Sequence, residues 1–224
     1  MNFNIEKKIY LTNIFLIDWD DTLFPTSWVN NNKINLQSED SKNEYKLYFL
    51  ELDNVISKFL ESLNDIGDIF IVTNANLNWI KTCLNVLTLT SKVIISNKIR
   101  ILSARDLYST KTNSPSEWKI LTFRDVILEN LKKINNIRDN TYLNILSFGD
   151  AEYEYIALLN LNNYLLKIDI IKKYIKNNNF NFLLKSIKFI DNPQFEYIID
   201  QLKFVEQNKD SIINKLEFVD LKFN

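Results

Sequence analysis

Ile14–Phe15–Leu16–Ile17–Asp18–Trp19–Asp20–Asp21–Thr22 is the stretch on which the fold turns. Four apolar residues without alternation read as a short buried strand, Ile14–Asp18, that ends in a carboxylate. Working outward, the same unit recurs. Tyr45, Tyr48, Phe49, Leu52, Ile56, Phe59, Leu60 and Leu63 repeat at helical spacing, and Gly67 is expected to stop that helix. Asp68–Thr73 (DIFIVT) is a second buried strand, followed by a helix from about Leu77 to Leu89. Strand alternating with helix predicts an α/β chain, with a Rossmann-like parallel sheet covered by helices on both faces.

Val93–Ser96 and Ile99–Ser103 compete for the third strand, and the second is preferred because it ends in a small polar residue. Ser114–Pro115–Ser116–Glu117 carries a helix start: Ser114 as N-cap, Pro115 at the first helical position and Glu117 closing a capping box. That helix is expected to reach about Ile134. Tyr142–Phe148 is a strand ended by Gly149 and Asp150, with a helix from near Ala151. Leu165–Ile170 and Ser186–Ile190 read as two further strands, Pro193 as the opening of a helix to about Gln207, and Leu216–Phe223 as an edge strand. The polar stretch Asn30–Asn43 reads as a loop or flap. The chain divides into no separate domains: residues 1–224 form one unit, with a core at about 10–206, an insert at 25–44 and a C-terminal extension at 208–224.

Composition narrows the chemistry. The 224 residues include no histidine and one cysteine, with 27 Lys+Arg against 28 Asp+Glu. Without histidine there is no Ser-His-Asp or Cys-His triad, no imidazole base and no imidazole metal ligand. A single cysteine forms no internal disulfide and no cysteine-cluster zinc site. Near-neutral charge gives no strong nucleic-acid signature. The apolar run before Asp18 is shorter than a signal-peptide core or a membrane span, so the chain reads as soluble and cytoplasmic. The abundant Asn, Ile and Lys read as AT-rich coding bias, which leaves Asn-rich loops little functional weight. Catalysis would have to use carboxylates, lysines, hydroxyls and hard metals.

Ligands of open α/β sheets bind beyond the carboxyl ends of the strands. Polar residues gather there: Asp18, Asp20 and Thr22 after the first strand, Thr73 after the second, Ser103 after the third and Asp150 after the fourth. Lys119 lies in the opening turns of the helix before the fourth strand. Asp and Thr are ordinary turn and cap residues, but this ordered set is harder to dismiss than any member alone.

Asp18-Trp-Asp20-Asp-Thr22 resembles motif I, DxDxT, of the haloacid dehalogenase (HAD) superfamily. Thr73 in IFIVTNA matches the hydroxyl of motif II, Lys119 in SEWK the base of motif III, and Gly149-Asp150 in SFGDAEYE the acidic motif IV. DWDDTLFPTSW, VTNA, SARDLY with EWK, and SFGDAEYE look like a sparsely characterised eukaryotic branch of HAD-like proteins, over about residues 10–206. The resemblance implies a HAD-type sheet, capless or with a minimal flap insert after the first strand. It also implies a Mg²⁺-dependent phosphomonoester hydrolase. Asp18 would form an aspartyl-phosphate, and Asp20 would protonate the leaving oxygen and then activate water. Thr73 would donate to the phosphoryl group, and Lys119 would offset its charge. Mg²⁺ would be held by Asp18, the Asp20 backbone carbonyl and Asp150, with Glu154 at the second acidic position of motif IV, where many relatives have Asp. Thr22, Asn74 and Arg105 are candidates for substrate binding, with Arg105 open between a second phosphate or carboxylate and an ordinary surface salt bridge.

The substrate would be a phosphorylated small molecule or macromolecule, the open site favouring bulky ones; no obligate partner is evident. Rivals are a non-catalytic binding or scaffold protein on the same fold, a DxDxT-type protein phosphatase and a phosphomutase. Trp28 is a candidate for the site entrance, with packing under the insert as the preferred reading. Lys111 rivals Lys119, and Cys83 sits in an apolar helical pattern as a small core residue.

Overall fold

A computed structural model describes residues 9–133, 141–169, 171–172 and 180–224. The first strand, β1 (Tyr10–Ile17), leads through α1 (Thr26–Asn31) and α2 (Glu39–Glu44) into α3 (Lys46–Asn64). Then come β2 (Gly67–Thr73), α4 (Leu77–Leu84), α5 (Thr88–Ser96), β3 (Arg100–Ser103), α6 (Ala104–Tyr108) and α7 (Pro115–Lys133). The chain continues through β4 (Thr141–Gly149), α8 (Glu152–Leu165), β5 (Asn181–Lys188), α9 (Phe195–Ile213) and β6 (Val219–Lys222). The strands form one six-stranded sheet in the order β3-β2-β1-β4-β5-β6, and every neighbouring pair is parallel.

Successive strand residues point to opposite faces, so a run that is apolar throughout needs cover on both. Phe15 and Ile17 enter one core with residues of α3 and α9, while Ile14 and Leu16 enter the other with residues of α7 and α8. Ile17 pairs with Ile71 on one side and Phe148 on the other, so the ends of β1, β2 and β4 lie level. That register gathers the polar strand ends at one edge of the sheet.

Several boundaries differ from the sequence reading, each for a local reason. Gly67 does not stop α3, which ends at Asn64; it opens β2, where an added Cβ would lie 2.5 Å from the Asn13 carbonyl oxygen. The helix expected at 77–89 is two helices. The buried Asp53 of α3 accepts the Leu89 and Thr90 amides at 2.8 and 2.7 Å and so starts α5. Val93–Ser96 belongs to α5, leaving the third strand to Arg100–Ser103.

The 25–44 insert is not an open loop. It contains α1 and α2, and its Val29, Ile34 and Leu36 are buried in the core. Trp28 packs among Tyr45, Tyr48, Phe49 and Phe195, with ring centroids 5.1–6.5 Å apart, which clamps the insert to α3 and α9. Leu165 closes α8 instead of opening a strand, because Leu158, Leu161 and Leu165 bury at helical spacing; Ile170 and the expected helix end at Ile134 lie outside the described residues. The later strand runs Asn181–Lys188, and α9 extends six residues past the expected Gln207. β6 pairs with β5 as an edge strand, so 208–224 is part of the sheet and helix layer and not an appendage.

A polar layer ties the end of α9 to the sheet. Lys185 Nζ donates to the Ile212 and Ile213 carbonyls at 2.8 and 2.6 Å, and Asn144 Nδ2 to Ile213 O and Asn13 Oδ1, both at 3.0 Å. Among the described residues no helix is long and apolar enough to cross a membrane.

Candidate active site

The site is built at the carboxyl edge of the central strands. The Asp18 amide donates to Phe148 O at 2.9 Å, extending the β1–β4 ladder one residue beyond β1. The chain then turns sharply. The amides of Leu23 and Phe24 return to Trp19 O at 3.0 and 2.8 Å, and Asp21 takes a left-handed φ of 53°, a conformation that short polar side chains tolerate. Asp21 is secured by Ser27, whose amide and hydroxyl both donate to its carboxylate.

Lys119 reaches the strand end from α7. The Glu117 amide donates to Ser114 Oγ at 3.3 Å, as a capping residue requires, but the return half of the box is relayed. Ser114 N donates to Thr112 Oγ1 at 3.2 Å, and the Thr112 hydroxyl donates to Glu117. Asn74 Nδ2 donates to Pro115 O at 3.3 Å, joining the loop after β2 to the same helix start. From there the buried Lys119 Nζ finds three acceptors: Asp18 Oδ1 at 2.6 Å, Val72 O at 2.6 Å and Glu154 Oε1 at 2.7 Å. Three partners match the three donors of an ammonium. Burial alone would drive its proton off, but Asp18 and Glu154 outweigh burial and hold Lys119 charged.

The acids outnumber the base. Burial pushes the Asp18 carboxyl well up, Lys119 opposes this, and Glu154, Asp20 and Asp150 add to it. Asp150 is pushed up to about 7, first by burial and then by Glu154 and Asp21. Glu154 is buried, and its second oxygen has no hydrogen-bond donor among the described residues. Gly149 makes room for it: a Cβ there would lie 2.3 Å from Glu154 Cγ.

Asp20 occupies a different environment, beside a cleft of about 500 Å³ that it lines together with Asn74, Trp79 and Arg105. Its Oδ1 accepts Thr26 Oγ1 at 2.5 Å and Trp79 Nε1 at 2.8 Å, and its Oδ2 accepts Thr73 Oγ1 at 3.1 Å. Thr73 in turn accepts the Ala75 amide at 2.9 Å, which fixes its hydroxyl for donation.

The structure thus brings Asp18, Lys119 and Glu154 into contact, and likewise Asp20 with Thr73. Thr22 is fully buried with its hydroxyl 3.5 Å from Asp150 Oδ1, so it braces that carboxylate from inside. Trp79 was missed from sequence: an indole one turn into a helix carries no motif by itself. Lys111 lies over the Tyr108 ring at 4.9 Å, apart from the acids. Cys83 is buried and free, and burial pushes its thiol up. Among the described residues no group of three or more Asp, Glu or Cys side chains is arranged to hold a metal ion by itself. The expected Mg²⁺ set draws on the Asp18 and Asp150 side chains and the Asp20 carbonyl, with Glu154 as a further candidate. Comparison with known proteins found no match among family models, curated proteins or solved structures.

Proposed function

We propose that the chain is a Mg²⁺-dependent phosphomonoester hydrolase of HAD type, working through an aspartyl-phosphate on Asp18. The observation that carries this reading is the division between two carboxylates two residues apart. Asp18 is buried against Lys119 at 2.6 Å, while Asp20 is hydrogen-bonded at a cleft. Neighbouring acids in unlike settings suit unlike roles.

Lys119 engages Asp18 through Oδ1, which leaves Oδ2 to attack phosphorus. The attack forms an O–P bond as the ester O–P bond breaks, and Asp20 delivers a proton to the departing oxygen. In the second half, Asp20 takes a proton from water, whose oxygen attacks the aspartyl-phosphate and restores Asp18. Thr73 donates to a phosphoryl oxygen, and Lys119 offsets charge gathered between Asp18 and the transferred group.

The donor set fits a hard cation. The buried Asp18 and Glu154 both meet Lys119, the buried Asp150 carboxyl is raised in part by Glu154, and oxygen-only donors of this kind suit Mg²⁺. Asp18, Asp150 and the Asp20 carbonyl would hold the ion. Glu154, whose Oε1 is taken by Lys119, would position that lysine. When bound, the ion neutralises the substrate phosphate and orients it for attack.

With Mg²⁺ the purified protein is expected to release phosphate from p-nitrophenyl phosphate. Chelator should abolish this, and Asp18→Asn should lower kcat at least 100-fold. Activity indifferent to Asp18→Asn would sink the reading.

A further inference from the structure

We infer that Arg105 receives a second anionic group of the substrate, so that the natural substrate is a small phosphomonoester that also carries a carboxylate or another phosphate. This rests on the hydrolase reading above. Arg105 lines the same cleft as Asp20, and no carboxylate pairs with it among the described residues. The other described arginines differ: Arg100 lies 2.7 Å from Glu129, and Arg124 lies 3.6 Å from Asp125. Among the described residues Asp20 and Arg105 are the only ionisable ones lining the cleft, so Arg105 is the one cation there that a second anion would meet.

The guanidinium is also held in place. It lies 5.6 Å over the ring of Trp118, the residue preceding Lys119, and Trp118 Nε1 is itself fixed to Thr112 O at 2.7 Å. The turn from β3 into α6 is bolted to the loop after β2: Ser103 Oγ donates to Ala75 O at 2.7 Å, and the Leu77 amide donates to Asp106 at 3.3 Å. Arg105 is therefore referenced both to the lysine side and to the Thr73 side of the reacting centre. A guanidinium fork matches the planar carboxylate or the face of a phosphate with two parallel hydrogen bonds. The cleft volume of about 500 Å³ has room for a small phosphomonoester that reaches Arg105 with its second anionic group.

The test compares phosphate release, with Mg²⁺, from p-nitrophenyl phosphate, glycerol 3-phosphate, 2-phosphoglycerate and fructose 1,6-bisphosphate. Wild type should prefer at least one of the two bis-anionic substrates over glycerol 3-phosphate by about tenfold or more in kcat/KM; which one separates carboxylate from phosphate. Arg105→Gln should collapse that preference about tenfold, and Arg105→Lys should retain part of it, since charge survives but the fork does not. Asp18-dependent turnover with no bis-anion preference, or a preference unmoved in Arg105→Gln, overturns the inference and leaves the hydrolase reading intact. If no substrate turns over, the hydrolase reading fails, and thermal shifts decide the inference separately. Stabilisation by 2-phosphoglycerate or fructose 1,6-bisphosphate that is lost in Arg105→Gln sustains the anion site; equal shifts in both proteins, or none, reject it.

Discussion

Gly149 and Glu154 form one unit at the residue scale. A methyl group at position 149 would sit 2.3 Å from Glu154 Cγ and 2.5 Å from Oε2, so Glu154 would have to leave Lys119. Gly149→Ala is expected to lower stability by about 2 kcal/mol in urea titrations, the usual cost of overpacking a filled site, and to reduce phosphate release more than tenfold. Adding Glu154→Ala to that variant should recover part of the stability and none of the activity. A double variant no more stable than the single would show that the clash is not the cause. Much of this site is legible as sequence, because a strand end followed by a carboxylate or hydroxyl is a local pattern. Asp18, Asp20, Thr73 and Asp150 are visible in that way. The contact of Trp79 with Asp20 is not, since the two lie 59 residues apart and nothing local distinguishes that tryptophan from a core residue.

Elements were legible where burial period and local capping agree, as in β1, β2, β4 and the Pro115 start of α7. They were misread where the deciding group lies elsewhere in the chain. The break between α4 and α5 depends on Asp53, which reaches the Leu89 and Thr90 amides from α3, more than 35 residues earlier. The insert was misread because its polar composition hid three anchoring residues, Val29, Ile34 and Leu36, at irregular spacing. Asp53→Ala leaves the buried Thr90 amide and the half-buried Leu89 amide without their acceptor. It is expected to lower stability by about 2 kcal/mol, with Asp53→Asn intermediate because one acceptor oxygen remains. Hydrogen exchange at Leu89 and Thr90 should rise in the alanine variant, and unchanged protection there would show that α5 starts without the cap.

For the molecule as a whole, the polar layer beneath α9 couples folding to pH. Burial, with Lys215 adding, lowers the Lys185 ammonium from its ordinary 10.5 to about 8 in the folded protein, and Glu217 opposes the shift. Between those values the unfolded chain keeps a proton that the folded chain has released, so stability should rise as pH climbs from about 8 toward 10.5. The urea midpoint of wild type should therefore gain on that of Lys185→Met across this range, and a constant difference would show that burial leaves the amine unperturbed. The strand order has a further consequence, in time. β1 lies inside the sheet, between β2 and β4, but β4 is made about 130 residues later. At ribosomal rates of roughly 5–20 residues per second, that interval is roughly 6–26 s. Through it the Ile14–Ile17 run has one hydrogen-bonding edge without its mate, and Asp18 emerges 101 residues before the lysine that neutralises it. The segment that decides the fold is thus one that a nascent chain must shield until β4 has been made.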